Sequence, residues 1–178
     1  MSQYHRSYPG VKIEFSTGTW KNLESKVVKH EIDGAIIAVK SAHPKVNCEK
    51  IYEEELVIIA SSMLNSIDSA ESLIGKNIYM WPDGCPYRKA LEIWLSEKDV
   101  SVPITSIASY GAILGCVSSG AGVSLVPKGI YEQFKSIGGI KGYSFVELKP
   151  IHNFFIWNKE TGYHSAKDAF LELIRTEI

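Results

Sequence analysis

The chain has 178 residues, of which 45% are hydrophobic and 22% charged, and this composition is typical of one or two globular domains rather than of a disordered chain. No apolar run approaches the roughly 20 residues that cross a bilayer, and the formal net charge of −1 lacks the basic excess of a protein that binds nucleic acid by itself. Because the first ten residues carry no export signal, we expect a cytoplasmic protein that does not act at a membrane.

The reactive side chains form no catalytic or metal-binding pattern. Cys48, Cys85 and Cys116 lack the paired spacing of a disulfide framework, which favours reduced thiols. The five histidines are scattered, and the chain contains no nucleotide-binding or hydrolase motif. We therefore expect no metal, no cofactor and no catalytic residues, and hence no enzyme activity.

The first part of the chain predicts strands that alternate with helices. Residues 11–15 alternate apolar and polar side chains, which indicates a half-buried strand. A helical apolar stripe then runs from Trp20 to Val28. The continuous apolar run at 35–39 is typical of a strand buried on both faces, and the polar residues 40–50 indicate a loop.

The rest of the chain continues this alternation. The predicted strands are 52–60, 77–81, 104–107, 123–126, 143–148 and 154–157. The predicted helices are 66–74, 87–95, 112–117, 127–134 and 166–174. Ser165 and Asp168 resemble a capping box at the start of the last helix. The alternation predicts a parallel α/β architecture.

Three predicted junctions between a strand and a helix are rich in small polar residues. Parallel sheets bind ligands at such junctions, where hydroxyls and unpaired backbone N–H groups favour a carboxylate or a similar anion. The alternative is that these residues are ordinary helix caps. The candidate binding residues are Thr17, Gly18, Thr19, Gly84, Cys85, Tyr87, Ser109 and Tyr110.

Cys85 is also a candidate for reactive chemistry. A thiol near a helix start, with Arg88 and Lys89 close by in sequence, can act as a nucleophile or as a redox sensor. The alternative is a small side chain that lines a pocket. A redox sensor or an enzyme that uses Cys85 is therefore the second function that the sequence leaves open.

Six segments, taken in order, resemble the effector-binding (substrate-binding) domain of LysR-type transcriptional regulators. These segments are 8–11, 31–36, 52–57, 84–88, 109–117 and 119–127. Each motif is degenerate alone, but their joint order over nearly the whole chain is specific. The chain is identified on this basis as an N-terminally truncated member of the family.

The resemblance implies a type 2 periplasmic-binding-protein-like α/β fold, in which crossover strands join two lobes. Lobe one is expected at 1–60 plus 150–178, and lobe two at 61–149. The resemblance further implies that a small, anionic metabolite binds in the interlobe cleft and modulates DNA binding and transcription. A homodimer or a higher homo-oligomer is expected, and DNA is contacted only through a helix-turn-helix domain that this chain lacks.

One departure from the family concerns lobe one, which lacks its first strand. Only the end of the helix that follows this strand in the family, at 2–8, is expected in this chain. The resemblance places the missing strand between the predicted strands at 11–15 and 35–39. Because unpaired backbone groups in a buried sheet are costly, we expect a partner chain, a rearranged sheet or an altered lobe to fill this position.

Overall fold

The computed structural model describes residues 2–177. The strands are β1 (Ala35–Ile37), β2 (Val46–Glu54), β3 (Leu56–Ser61), β4 (Ile78–Met80), β5 (Ile104–Ser106), β6 (Val123–Pro127), β7 (Ile140–Tyr143) and β8 (Ile151–Asn158). The helices are α1 (Ser2–Ser7), α2 (Trp20–Val28), α3 (Pro86–Glu97), α4 (Tyr110–Ser118), α5 (Lys128–Phe134) and α6 (Ser165–Glu177). Within these residues, no helix is long and apolar enough to span a membrane.

The chain folds into two compact units, as expected for two α/β lobes. Unit one comprises Met1–Glu53 and His152–Ile178, and unit two comprises Glu54–Ile151. The chain therefore crosses between the units at 53/54 and 151/152, whereas the sequence analysis placed these crossings at 60/61 and 149/150. Residues 1 and 178, at the ends of the expected lobe one, lie outside the described residues.

Unit one contains a three-stranded sheet with a helix on each face. Its strand order is β1-β8-β2, and β1 pairs with β8 in antiparallel orientation. Phe154 and Ile156 of β8 pack with Val27 of α2. Phe155, between them in sequence, packs with Leu171 of α6. Since neighbouring strand residues point to opposite faces, α2 and α6 cover opposite faces of this sheet.

Unit two contains a five-stranded sheet in the order β5-β4-β6-β3-β7. Every residue of β3 is buried, and its side chains alternate between two apolar cores. Leu56 and Ile58 belong to one core, and Val57 and Ile59 belong to the other. Burial on both faces is the reason that this strand is a continuous apolar run.

The prediction of a parallel architecture is only partly correct. β4 runs parallel to β5 and β6, but β3 runs antiparallel to both β6 and β7. In unit one, β1 is also antiparallel to β8. The sheets are mixed, and the sequence does not reveal this because a strand buried on both faces is apolar whichever way its neighbours run.

The predicted strand at 11–15 is absent, because the segment has no partner strand. Its side chains still alternate, since Val11 and Ile13 are half-buried whereas Lys12 and Glu14 are exposed. The backbone is not part of either sheet. A period-two pattern thus survives here without the hydrogen bonds that define a strand.

Three other predictions of local structure are wrong. Part of the expected loop at 40–50 belongs to β2, a strand of mixed polarity that is half-buried beside β8. The strand expected at 143–148 lies earlier, in β7, where Tyr143 pairs with Ile58. Of the helix expected at 66–74, the structure has only a 3-10 turn at Glu71–Leu73.

The start of α6 is capped one residue earlier than the sequence analysis expects. His164 Nδ1 accepts a hydrogen bond from the Lys167 N–H at 3.2 Å, and the His164 N–H donates to Asp168 Oδ2 at 3.0 Å. His164 is therefore the capping residue, and Ser165 is the first residue of the helix. The reciprocal bonding resembles a capping box, but an imidazole replaces the hydroxyl and the carboxylate of Asp168 lies one position later than in that motif.

Candidate functional site

The start of α3 is the most distinctive of the predicted junctions in unit two. A tight turn precedes it, in which the Cys85 N–H donates to the Pro82 carbonyl at 3.3 Å. Gly84 has φ +87° in this turn, a conformation that glycine adopts without steric cost. Cys85 is the N-cap residue, but its side chain caps no backbone N–H group. The first turn of α3 therefore lacks a side-chain cap.

An uncapped helix start favours an acceptor or an anion. N–H groups of the first turn have no acceptor within the helix, and the helix dipole adds partial positive charge there. Pro86 supplies no N–H group, and the Lys89 N–H already donates to the Cys85 carbonyl at 3.0 Å. The side chain of Arg88 adds little, since it is paired with Asp83 and Glu92, both at 2.8 Å.

The start of α4, unlike that of α3, has a side-chain cap. Ser109 Oγ accepts a hydrogen bond from the Ala112 N–H at 3.4 Å. The hydroxyl of Ser109 is therefore engaged in the helix cap, as the alternative interpretation of these junctions holds. The next residue, Tyr110, packs its ring edge-on against Trp81, with ring centroids 5.2 Å apart.

Tyr110, the first residue of α4, is influenced electrostatically by Cys85 at the start of α3. Burial raises the pKa of Tyr110 to about 12, and the nearby Cys85 and Glu54 side chains add to the rise, whereas the Trp81 indole opposes it. The phenol is therefore neutral at physiological pH and keeps its O–H donor. These influences place Glu54, Cys85 and Tyr110 in one neighbourhood of unit two.

The sequence analysis missed Glu54 and Trp81 as members of this cluster. The Tyr87 hydroxyl donates a hydrogen bond to Glu54 Oε2. The Trp81 indole lies edge-on to Tyr110 and lowers the pKa of that phenol by hydrogen bonding. Glu54 is one of three consecutive glutamates, so nothing local marks it, and Trp81 ends the predicted strand at 77–81, where an aromatic side chain is more typical of the core than of a site.

The three candidates in unit one form a separate group. Thr19 is the N-cap residue of α2, and its hydroxyl accepts a hydrogen bond from the Asn22 N–H at 3.3 Å. Gly18 lies against the side chain of Asn22, because a Cβ at Gly18 would lie 2.8 Å from Asn22 Oδ1. Thr17 is exposed. Of the eight predicted residues, the structure thus brings Cys85, Tyr87 and Tyr110 into one cluster around Glu54.

Comparisons with known proteins decide the family. The model of the LysR substrate binding domain matches residues 1–178. The chain belongs to this family. A curated relative from Bacillus subtilis, the uncharacterized HTH-type transcriptional regulator YusT, is 32% identical over 97% of this chain and 58% of its own length. This LysR domain thus spans about three fifths of the length of that relative.

Solved structures of LysR regulatory domains share the fold. The regulatory domain of Synechocystis PCC6803 CcmR in complex with 2-PG has a TM-score of 0.86 and 15% identity. The effector binding domain of QuiR in complex with shikimate has a TM-score of 0.82 and 18% identity. The alignments cover 98% of this chain in both cases, and 87% and 86% of the two solved chains.

The comparisons do not favour the redox-sensor alternative for Cys85. The curated relatives are named as HTH-type transcriptional regulators. The two solved domains above contain small molecules that are named as ligands. In this LysR domain all three cysteines are free thiols, and Cys85 is close enough to Tyr110 to help raise the pKa of that phenol.

Proposed function

We propose that this LysR domain senses a small acid, bound at the uncapped start of α3, and that it has no catalytic role. The observation that carries the proposal is the juxtaposition of this helix start with Glu54 and Tyr110. Helix starts favour carboxylates and other anions. The family membership of the chain supports a role in ligand binding rather than in structure alone.

The neighbouring carboxylate narrows the class of ligand. A simple anion gains from the helix start but is repelled by Glu54, whereas a ligand that also carries a hydroxyl or an ammonium group donates to this carboxylate. We therefore expect a hydroxy acid or an amino acid. Shikimate, the ligand of the QuiR domain, is a hydroxylated carboxylate and belongs to this chemical class.

In the full-length regulator, we propose that effector binding alters DNA binding through a helix-turn-helix domain outside this chain. The effector does so only if it binds two arrangements of the regulator with different affinity. The candidate residues Thr17, Gly18 and Thr19 of unit one and Ser109 of unit two remain predictions as effector contacts. A homodimer or a higher homo-oligomer is the expected assembly.

A thermal-shift panel tests the proposed ligand class. The panel contains hydroxy acids, amino acids, simple carboxylates and inorganic anions, because a ligand at 100 times its Kd stabilises the folded state by about 2.7 kcal/mol. We expect members of the first two classes to raise Tm and the last two classes to have little effect. Stabilisation by simple anions alone would contradict the assigned role of Glu54.

A matched pair of variants tests whether the charge of Glu54 contributes to ligand binding. Glu54→Gln keeps the shape of the side chain but removes its charge, and we expect the affinity for the best ligand to fall about tenfold, because hydrogen bonds to charged groups are worth about 1.5–3 kcal/mol. Glu55→Gln is the control, since Glu55 is paired with Lys128. Equal losses in both variants, measured by calorimetry, would overturn the proposal.

A further inference from the structure

A cavity of about 510 Å³ lies in unit one beside β1. Segment 11–16 and the β1 residues Ala35 and Ile36 line it, together with Leu23 of α2 and Phe170 of α6. Because α2 and α6 pack on opposite faces of the sheet, a cavity that touches both lies in the plane of the sheet. We call this cavity, with the lining named here, the strand groove.

One side of the strand groove is the free edge of β1. In the part of the chain that the structure describes, β1 ends its sheet and pairs only with β8. In an antiparallel pair, alternate residues direct their N–H and C=O groups away from the partner strand. β1 therefore presents backbone groups toward the groove, and Ile36 is 42% exposed although it is a large apolar residue.

Segment 11–16 lines the same groove with a backbone that is almost unpaired. Within residues 2–177, the one backbone hydrogen bond of this segment joins the Val11 N–H to the Tyr8 carbonyl at 3.1 Å. Its apolar members include Ile13, which is half-buried, and Phe15, which is 75% exposed. The segment has the side-chain pattern of a strand and lacks only a neighbour.

We propose that the strand groove binds an extended peptide of about five residues, which adds a strand between β1 and segment 11–16. Side chains on one face of this strand would meet Leu23, and those on the other would meet Phe155 and Phe170. A strand with both faces covered is a continuous apolar run. The occupant is therefore rich in valine and isoleucine, which also favour extended structure.

The source of affinity is the backbone. An added strand gains main-chain hydrogen bonds along a free sheet edge, and pockets for its side chains supply specificity. The proposal concerns unit one alone and does not depend on effector binding in unit two.

A designed peptide tests the inference directly. The probe is fluorescein-labelled Lys-Lys-Val-Ile-Val-Ile-Val-Lys-Lys, and its control has the same side chains with alternate backbone nitrogens methylated, which removes hydrogen-bond donors. We expect saturable binding of the probe in fluorescence anisotropy and at least tenfold weaker binding of the control. Hydrogen exchange at 12–16 and 35–37 should slow at least tenfold in the complex.

Two proline variants test the register of the pairing. Lys12→Pro and Ile13→Pro each remove one N–H group, and neither group has a backbone partner within the described residues. Both variants should keep the Tm of the unliganded chain. Neighbouring residues of a strand direct their N–H groups to opposite edges, so one variant should lose peptide affinity at least tenfold while the other retains it.

Several results would overturn the proposal. These are a probe that does not bind, a methylated control that binds equally well, and protection confined to other segments. Two proline variants that both bind the probe as the unmodified chain does would also overturn it. Protection of 12–16 and 35–37 without peptide, increasing with protein concentration, would assign the groove to a second copy of the chain instead.

Discussion

The three consecutive glutamates at 53–55 share no partner among the contacts described here. Glu53 pairs with Lys50 and with His152 Nδ1. Glu54 accepts a hydrogen bond from the Tyr87 hydroxyl, and Glu55 pairs with Lys128. These partners are up to 99 positions away in the sequence numbering, from 53 to 152. The chemistry of each carboxylate is therefore set by tertiary structure, and only one of them joins the candidate site.

His30 ends helix α2 through an unusual backbone conformation. It follows α2 with φ 57°, and its N–H donates to the Val27 carbonyl while the Glu31 N–H donates to the Lys26 carbonyl. This is the bonding of a Schellman motif. A residue with a Cβ is strained in the left-handed conformation by about 1–2 kcal/mol.

Replacing His30 by glycine should therefore stabilise the chain. We expect His30→Gly to raise the free energy of unfolding by about 0.5–1 kcal/mol, since relief of the strain exceeds the entropy that glycine adds to the unfolded state. His30→Ala is the control, because it removes the contact with Glu160 but keeps the Cβ. Urea denaturation measures both, and a glycine variant no more stable than the alanine variant would contradict this account.

At the scale of elements, buried helices and strands were predictable where one face of the element is apolar. The alternation of β3 between two cores and the stripe of α2 both follow from residue type. Residue type did not reveal the direction of the strands or the absence of a strand at 11–15, because both depend on neighbouring segments that are distant in sequence. In the same way, Cys85 and Tyr87 were predicted for the site, whereas Glu54 reaches it only through the fold.

The start of α6 combines a cap with a buried lysine. The Lys167 ammonium pairs with Asp168 and lies 5.2 Å from the ring centroid of Trp157. The hydrogen bond from Lys167, and then that from the His164 backbone, hold the pKa of Asp168 below its ordinary value. The carboxylate thus stabilises the fold in its charged form.

This cap predicts a specific dependence of stability on pH. A lowered carboxyl pKa contributes stability above the unfolded pKa, which is about 3.9 for Asp, and this contribution is lost as pH falls through the folded pKa. We expect Asp168→Asn to lower Tm at pH 7 and to approach the unmodified chain below about pH 4. Parallel pH profiles for the chain and Asp168→Asn would contradict the prediction.

At the scale of the whole molecule, family membership leads to a prediction about assembly. We expect the chain to form a dimer, so light scattering at increasing concentration should approach twice the chain mass of 19.8 kDa. The mass should fall toward that of one chain on dilution if the association is reversible. A constant mass of one chain at every concentration would contradict the expected dimer.

The position of Glu54 has a mechanical consequence. It is the first residue of unit two after the chain leaves unit one, and the Tyr87 hydroxyl holds it against α3. We therefore expect the proposed ligand to compete with the Tyr87 hydroxyl for this carboxylate. Such a ligand would act directly on the residue at which the chain enters unit two, without any intervening relay of side chains.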